Sequence, residues 1–172
     1  MNSYTFMLNF TLPGREADPE QYVDALFEAG CDDAAVGVGR LGMIGLDFTR
    51  EAACAEDALR SAIRNVRIAI PGAELVQAGP DLVGLTEMAD IFGFSRQNMR
   101  RYATALYDAR EAFPTPTVLG DPSLWHLAEI AAWLKLNTTV QPPDGLLEIS
   151  KATASINFEV EQARVEKIRE LA

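Results

Sequence analysis

The stretch LTEMADIFGFSRQNMRRY, residues 85–102, decides the fold of the central part of the chain. Gly93 and Met99 follow Ala89 at offsets of four and ten residues, the spacing of two helices joined by a tight turn. Ala89 is small where two helices cross closely, and Gly93 can adopt a positive φ that residues with a Cβ resist. Ser95 can cap the second helix, because its hydroxyl accepts a hydrogen bond from an unpaired backbone N–H. The spacing therefore predicts a helix-turn-helix unit.

The second of these helices is rich in side chains that read base edges and phosphates. Helical spacing turns Met99, Ala103 and Leu106 inward and leaves the polar residues outward. An ordinary helical hairpin with a solvated basic face would share this pattern. We expect binding to double-stranded DNA in the major groove, and the predicted contact residues are Thr86, Ser95, Arg96, Gln97, Asn98, Arg100 and Arg101.

The segment FPTPTVLGDPSLWHLAEIAAWL, residues 113–134, predicts a short hairpin and a closing helix. Its first two prolines cannot continue a helix, so residues 115–119 should be extended. The sequence Gly120-Asp121-Pro122 favours a turn, after which Leu124-Trp125 should form a second short strand. A helix over residues 127–136 should follow, with three inward residues, Ile130, Trp133 and Leu134.

Two helices, a proline-rich hairpin and a closing helix are the order of a winged helix-turn-helix. The run from Ser95 to Arg100, followed by FPTPTVLG and a later WL pair, resembles the MerR-like and AlpA/excisionase-like family of bacterial and phage DNA-binding domains. The likeness covers residues 83–134. It implies a DNA-binding regulator, and in that family a C-terminal helix dimerises. Members usually carry Arg or Lys in the wing, whereas this wing offers Asp121-Pro122-Ser123, so the likeness supports the second helix more than the wing.

Residues 1–79 alternate between strand and helix patterns. Phe6, Leu8, Phe10 and Leu12 alternate as in a half-buried strand, and further strands are predicted at 34–38, 44–48 and 73–77. Helices are predicted from the Asp18-Pro19 pair to Ala29 and from Arg50 to Ile70. The resulting order βαββαβ is that of a ferredoxin-like fold. The chain as a whole is predicted to be α+β.

The sequence Gly37-Val38-Gly39-Arg40-Leu41-Gly42 matches the G-x-G-x-x-G pattern of dinucleotide-binding loops. Such a loop must leave a strand and open a helix, so that the phosphates meet the helix N-terminus. Residues 43–48 alternate as a strand instead. The glycines are therefore predicted to join two strands.

Composition narrows the remaining function classes. His126 is the only histidine, so no Ser-His or Cys-His pair can be built, and we expect no enzyme activity, cofactor or metal. His126 is expected to pack between wing and helix or to lie solvated at a helix N-terminus. Cys31 and Cys54 form no CxxC pattern, and we expect them to be reduced in a cytoplasmic protein without a membrane segment. An Asp32-Asp33 cation site is less favoured than an exposed loop.

The net charge of −10 is unusual for a protein that binds DNA. Residues 1–80 contain six basic and twelve acidic residues, whereas residues 95–110 have a net charge of +3. Screening acts over about 8–10 Å at physiological salt, so the local charge decides the phosphate contact. The acidic balance lowers the expected affinity without changing the expected mode of binding.

Three domains are predicted: a partner- or effector-binding domain at 1–79, a DNA-binding domain at 80–136, and a linker with a helix at 137–172. Residues 80–84 and 140–145 are the predicted linkers. The last helix carries an apolar stripe that either packs back on its own chain or pairs with a second subunit, and we expect a homodimer. The stripe comprises Ile149, Ile156, Val160, Ala163, Ile168 and Leu171.

Two function classes remain open. The first is a sequence-specific, DNA-binding transcriptional regulator, with a protein partner or a small-molecule effector at the N-terminal domain. The alternative is an antitoxin or adaptor module that binds a basic protein partner through its acidic N-terminal domain. The two overlap, because an antitoxin can also act as the repressor of its own operon.

Overall fold

In the computed structural model, residues 1–104 and 111–171 are described and form two compact units of mixed α+β structure. Unit 1 comprises Met1–Gly79 together with Ala152–Ala172, and unit 2 comprises Pro80–Lys151. The segment 137–172, predicted as a separate linker and helix, is thus divided between the two units.

Unit 1 follows the predicted order of strands and helices around one antiparallel sheet. Its strand order is β2-β3-β1-β4, with every neighbouring pair antiparallel. A short 3-10 turn at Pro19–Tyr22 precedes the first helix, and Asp18 caps it by accepting a hydrogen bond from the Glu20 N–H. The other elements are β1 (Asn2–Thr11), α1 (Val23–Glu28), β2 (Ala34–Gly37), β3 (Met43–Ala52), α2 (Ala55–Ala69) and β4 (Glu74–Gly79).

The second helix begins five residues later than predicted. Arg50 to Ala52 continue β3, where Arg50 pairs with Tyr4 and Ala52 with Asn2. Both Arg50 and Ala52 are buried, as the strand period of two requires. Tertiary pairing therefore overrides the helical propensity that the sequence shows there.

The core of unit 1 lies between the sheet and its helices. Alternate residues of β1 are buried, and Phe6 stacks on its cross-strand partner Phe48 with ring centroids 5.2 Å apart. One face of α2 covers these side chains with Leu59, Ala62, Ile63 and Val66. The predicted strand alternation in residues 6–12 is confirmed by this burial.

The predicted hairpin at residues 37–42 is confirmed. Gly37 ends β2, Met43 begins β3, and the two strands are antiparallel. Gly42 has φ 73° and donates its N–H to the Ala17 carbonyl at 2.8 Å. A Cβ at Gly42 would overlap the Arg15 carbonyl oxygen. This glycine thus permits a close approach of two backbone segments.

Arg50 forms a buried ion pair with Asp33 that sequence reasoning missed. Its Nε and one terminal nitrogen donate to the two carboxylate oxygens at 2.7 and 2.8 Å. It also donates to the Gly30 carbonyl at 2.7 Å and lies over the Phe48 ring. Next to this pair, burial raises the pKa of the free Cys31 thiol to about 11. Asp33 is thus half-buried and ion-paired, whereas Asp32 is exposed as expected.

The last helix, α6 (Leu146–Arg169), starts in unit 2 and ends in unit 1. Within unit 1, the Asn157 side chain accepts the Ala78 N–H at 2.7 Å and donates to the Ala78 carbonyl at 2.8 Å. Of the predicted apolar stripe, Ile149 and Ile156 are buried, whereas Ile168 and Leu171 are exposed. The chain itself therefore covers the first part of the stripe.

Unit 2 contains three complete helices, the start of α6 and a small sheet in its described part. The elements are β5 (Leu82–Val83), α3 (Leu85–Phe92), α4 (Arg96–Ala103), β6 (Trp125–His126) and α5 (Leu127–Asn137). Within the predicted linker at 80–84, Leu82 and Val83 form a strand, because they pair with His126 and Trp125. None of the described helices is long and apolar enough to cross a membrane.

Candidate nucleic-acid interface

The turn between α3 and α4 forms as predicted. Gly93 adopts φ 68° and ends α3, and the Phe94 N–H donates to the Ala89 carbonyl at 2.8 Å. A Cβ at Gly93 would meet no heavy atom within 4 Å, so its backbone angle alone favours glycine. The hydroxyl of Ser95 caps α4 by accepting the Asn98 N–H at 3.2 Å.

The two faces of α4 differ sharply in burial. Met99 is fully buried in the core of unit 2, next to Met88 and Ala89 of α3. Every predicted DNA contact residue is exposed: Thr86, Ser95, Arg96, Gln97, Asn98, Arg100 and Arg101. Five of these side chains belong to α4, and three of the seven are arginines. The structure thus brings the predicted residues together on one exposed surface.

Arg96 is held in place by α3. Its Nε donates to the Thr86 Oγ1 at 2.7 Å, which links the start of α4 to the start of α3. Within residues 1–104 and 111–171, its two terminal guanidinium nitrogens form no other hydrogen bond or ion pair, so they can donate to an external acceptor. Both residues were predicted as contacts, but the bond between them joins positions ten residues apart and has no sequence signature.

A chain of aromatic rings supports the C-terminal end of α4. Tyr102 lies between Phe94 and Trp133, with ring centroids 5.9 and 5.8 Å apart. Phe113 packs edge-on against Trp133 at 5.0 Å. The indole N–H of Trp133 donates to the Glu111 carbonyl at 3.0 Å. The burial of Ile130, Trp133 and Leu134 was predicted, whereas the roles of Phe94, Tyr102 and Phe113 were missed.

The predicted hairpin after the two prolines is reduced to one bridge. Val118 and Leu124 exchange backbone hydrogen bonds at 3.1 and 3.0 Å, and no strand forms over 115–119. The prolines lack the N–H groups that a longer ladder needs. Trp125 pairs with Val83 instead, so the returning strand belongs to the sheet with β5. We call residues 117–124 the wing.

The wing offers no positive charge. No Lys or Arg occurs between residues 111 and 126, and Asp121 is exposed at the tip. Next to it, Leu119 is 84% exposed. An acidic and apolar tip does not suit contact with phosphate. Next to the turn between α3 and α4, the exposed positive charge therefore comes from the arginines of α4.

His126 holds the start of α5. Its Nδ1 lies 2.7 Å from Oδ1 of the buried Asp81, and the Leu127 N–H donates to the Asp81 carbonyl at 2.7 Å. His126 thus lies at the start of α5, as one of the two predictions has it, but its Nδ1 contacts Asp81 instead of solvent. Among residues 1–104 and 111–171, no group of three or more His, Cys, Asp or Glu side chains is placed to hold a metal ion.

Three residues that entered the charge and burial predictions, Leu106, Asp108 and Arg110, lie outside the described residues. Comparisons of the chain with protein-family models, with curated proteins and with solved structures found no match.

Proposed function

We propose that this chain is a sequence-specific DNA-binding transcriptional regulator of the bacterial, phage or plasmid type, acting in the cytoplasm. The observation that carries the proposal is the start of α4, where seven polar side chains surround a capped helix end next to a tight turn. A helix presented in this way can enter the major groove, with its first residues at the base edges.

The finer classification of both units is part of the proposal. In unit 1, the order βαββαβ and the strand order β2-β3-β1-β4 support a ferredoxin-like fold. In unit 2, the two helices, the Val118–Leu124 bridge and α5 support a winged helix-turn-helix of the MerR-like or AlpA/excisionase-like kind. Exposed Ile168 and Leu171 near the end of α6 support a homodimer, which would suit paired half-sites.

Arg96 is the residue that we expect to carry most of the base readout. Replacing Arg96 by Ala should cost about 1–3 kcal/mol on the specific site, the value of one good contact to a base edge. Replacing Thr86 by Val should cost less, because the guanidinium remains but is no longer held by the Oγ1. The measurement is fluorescence anisotropy on a site selected by pull-down of genomic DNA fragments, beside a scrambled duplex.

The matched control for this pair is Arg40→Ala, which removes one exposed arginine from a turn of unit 1. It should leave both affinities unchanged. Equal losses on the selected and the scrambled duplex in the Arg96→Ala protein would show that Arg96 is only a phosphate contact.

A weak dependence on salt is also expected. The exposed arginines of α4 and the N-terminus of this helix suit about three to five phosphates per subunit, so the slope of log K against log salt should be roughly −3 to −5 per subunit. Anisotropy titrations between about 50 and 200 mM salt would measure the slope. A much steeper slope would contradict the proposal that the acidic wing and unit 1 stay away from the phosphates.

The antitoxin or adaptor alternative binds a protein partner through its acidic N-terminal domain. The wing adds an observation in its favour, because Leu119 is exposed beside Asp121 and this surface does not attract phosphate. The same pull-down separates the two functions. Enrichment of a defined DNA sequence supports the regulator, whereas no enrichment together with a stoichiometric protein partner supports the adaptor.

A further inference from the structure

Unit 1 contains a cavity of about 850 Å³ between α2, β4 and the C-terminal half of α6. Cavities of roughly 300–1,000 Å³ are the usual size of small-molecule sites. Every residue that lines it belongs to unit 1. Neither the hairpin glycines nor the helix pair of unit 2 contributes to it, so it is separate from the candidate DNA surface.

The floor of the cavity is apolar. Of the apolar residues that line it, Ile63 and Ile156 are buried, and Leu75 and Val160 are half-buried. Ile68 is 64% exposed although it lines the cavity, so it leaves a large apolar surface uncovered. An occupant with an apolar body would remove this surface from water, which is favourable.

The rim of the cavity is strongly basic. Five cationic side chains line it against two carboxylates, in a chain with a net charge of −10. On α2, the spacing of four and then three residues places three of the arginines on one helix face. The five cations are Arg60, Arg64, Arg67, Arg164 and Lys167, and the two carboxylates are Glu74 and Glu159.

Both carboxylates are already engaged. Glu159 accepts from Arg60 at 2.7 Å, and this contact lowers the pKa of Glu159. Glu74 lies 3.3 Å from the Lys167 ammonium. Within residues 1–104 and 111–171, Arg64 and Arg67 have no carboxylate within ion-pair distance. Arg60 also pairs with Glu56, and Arg164 lies 3.7 Å from Glu161, so the uncompensated positive charge of the rim is that of Arg64 and Arg67.

We propose that this cavity binds a small anionic molecule with an apolar body, such as a carboxylate or a phosphate ester. Arg64 and Arg67 hold the anionic group, because guanidinium groups match carboxylate and phosphate oxygens in geometry and charge. The apolar body lies on Ile68 and Val160. The proposal assigns a ligand class to unit 1 and does not depend on whether α4 binds DNA.

The experiment uses the full chain and the fluorescent anion 8-anilinonaphthalene-1-sulfonate as probe. We expect saturable binding of one probe per chain, with displacement by decanoate and by decyl phosphate. Decanol lacks the anion and inorganic phosphate lacks the apolar body, so each should displace the probe at least about tenfold less well.

The variants Arg64→Gln and Arg67→Gln should each weaken probe binding about fivefold, and the double variant more strongly. Arg40→Gln is the matched control and should bind the probe like the unaltered chain. Equal melting temperatures of all variants, followed by circular dichroism, would show that the fold is retained.

Three outcomes would overturn the proposal. Unchanged probe binding in the double variant would place the probe elsewhere, and displacement by decanol as good as by decanoate would show an apolar patch without anion recognition. Displacement by a short DNA duplex better than by decyl phosphate would identify a nucleic-acid surface. Binding of the α4 site to its selected DNA is measured separately, so a failure of this proposal is distinguishable from a failure of the regulator function.

Discussion

Replacing Arg50 by Met should lower the free energy of unfolding of unit 1 by about 3 kcal/mol. Breaking a buried ion pair typically costs about 3–5 kcal/mol, and the 28% exposure of the Asp33 side chain places this pair at the lower end. Met keeps an apolar chain over Phe48 but leaves the Asp33 carboxylate without its donor, whereas the Gly30 carbonyl keeps the hydrogen bond from Asn65. The measurement is urea unfolding followed by far-UV circular dichroism.

Tryptophan fluorescence separates the two units, since Trp125 and Trp133 both lie in unit 2. Fluorescence therefore reports on unit 2, whereas dichroism reports on both units. We expect the loss of stability in the dichroism transition. The matched control is Arg60→Met, which breaks an ion pair whose partners are about half exposed and should cost less than about 1 kcal/mol. Equal losses in the two variants would contradict a special role for the Arg50–Asp33 pair.

Replacing Trp133 by Ala should lower the stability of unit 2 by about 3–5 kcal/mol, the range for large-to-small changes of a buried aromatic residue. Trp133 contacts Tyr102 of α4 and Phe113, so its removal leaves a cavity behind the exposed face of α4. We therefore expect weaker DNA binding as well. Fluorescence of the remaining Trp125 follows unfolding, and anisotropy follows DNA binding.

The control for this prediction is Trp133→Phe. Phe retains a ring at this position and loses the N–H that donates to the Glu111 carbonyl. Glu111 is exposed, so water can replace the lost donor, and a cost of about 1–2 kcal/mol is expected. If both variants lost the same stability, packing of the indole on Tyr102 and Phe113 would not be the source of the effect.

The parts of the fold that were predictable from the sequence are those with a local signal. The alternation in residues 6–12 reflects burial of one strand face, and Gly93, Ser95 and Met99 each meet a local requirement of the turn or of the helix start. Each of these signals extends over a few residues. The residues of the candidate DNA surface could be chosen from the sequence for the same reason, because they all lie on α3, on α4 or in the turn between them.

The parts that were missed depend on residues far apart in the chain. Arg50 meets Asp33, Leu82 pairs with His126, and neither pairing has a spacing that marks it. The basic rim was hidden for a related reason. The net charge of −6 over residues 1–80 combines the three arginines of α2 with all the acidic residues of this segment. Arg164 and Lys167 of α6 come to the rim from the other end of the chain.

The paired hydrogen bonds between Asn157 and Ala78 have a consequence for how the chain can be divided. β4 is an edge strand of its sheet. The Asn157 side-chain amide makes the two hydrogen bonds to Ala78 that the backbone of a further strand would otherwise make. An uncovered edge is a template for pairing with another chain. We expect a fragment that ends at Gly79 to present this edge to its neighbours, because the Asn157 side chain of α6 is what occupies the β4 edge at Ala78.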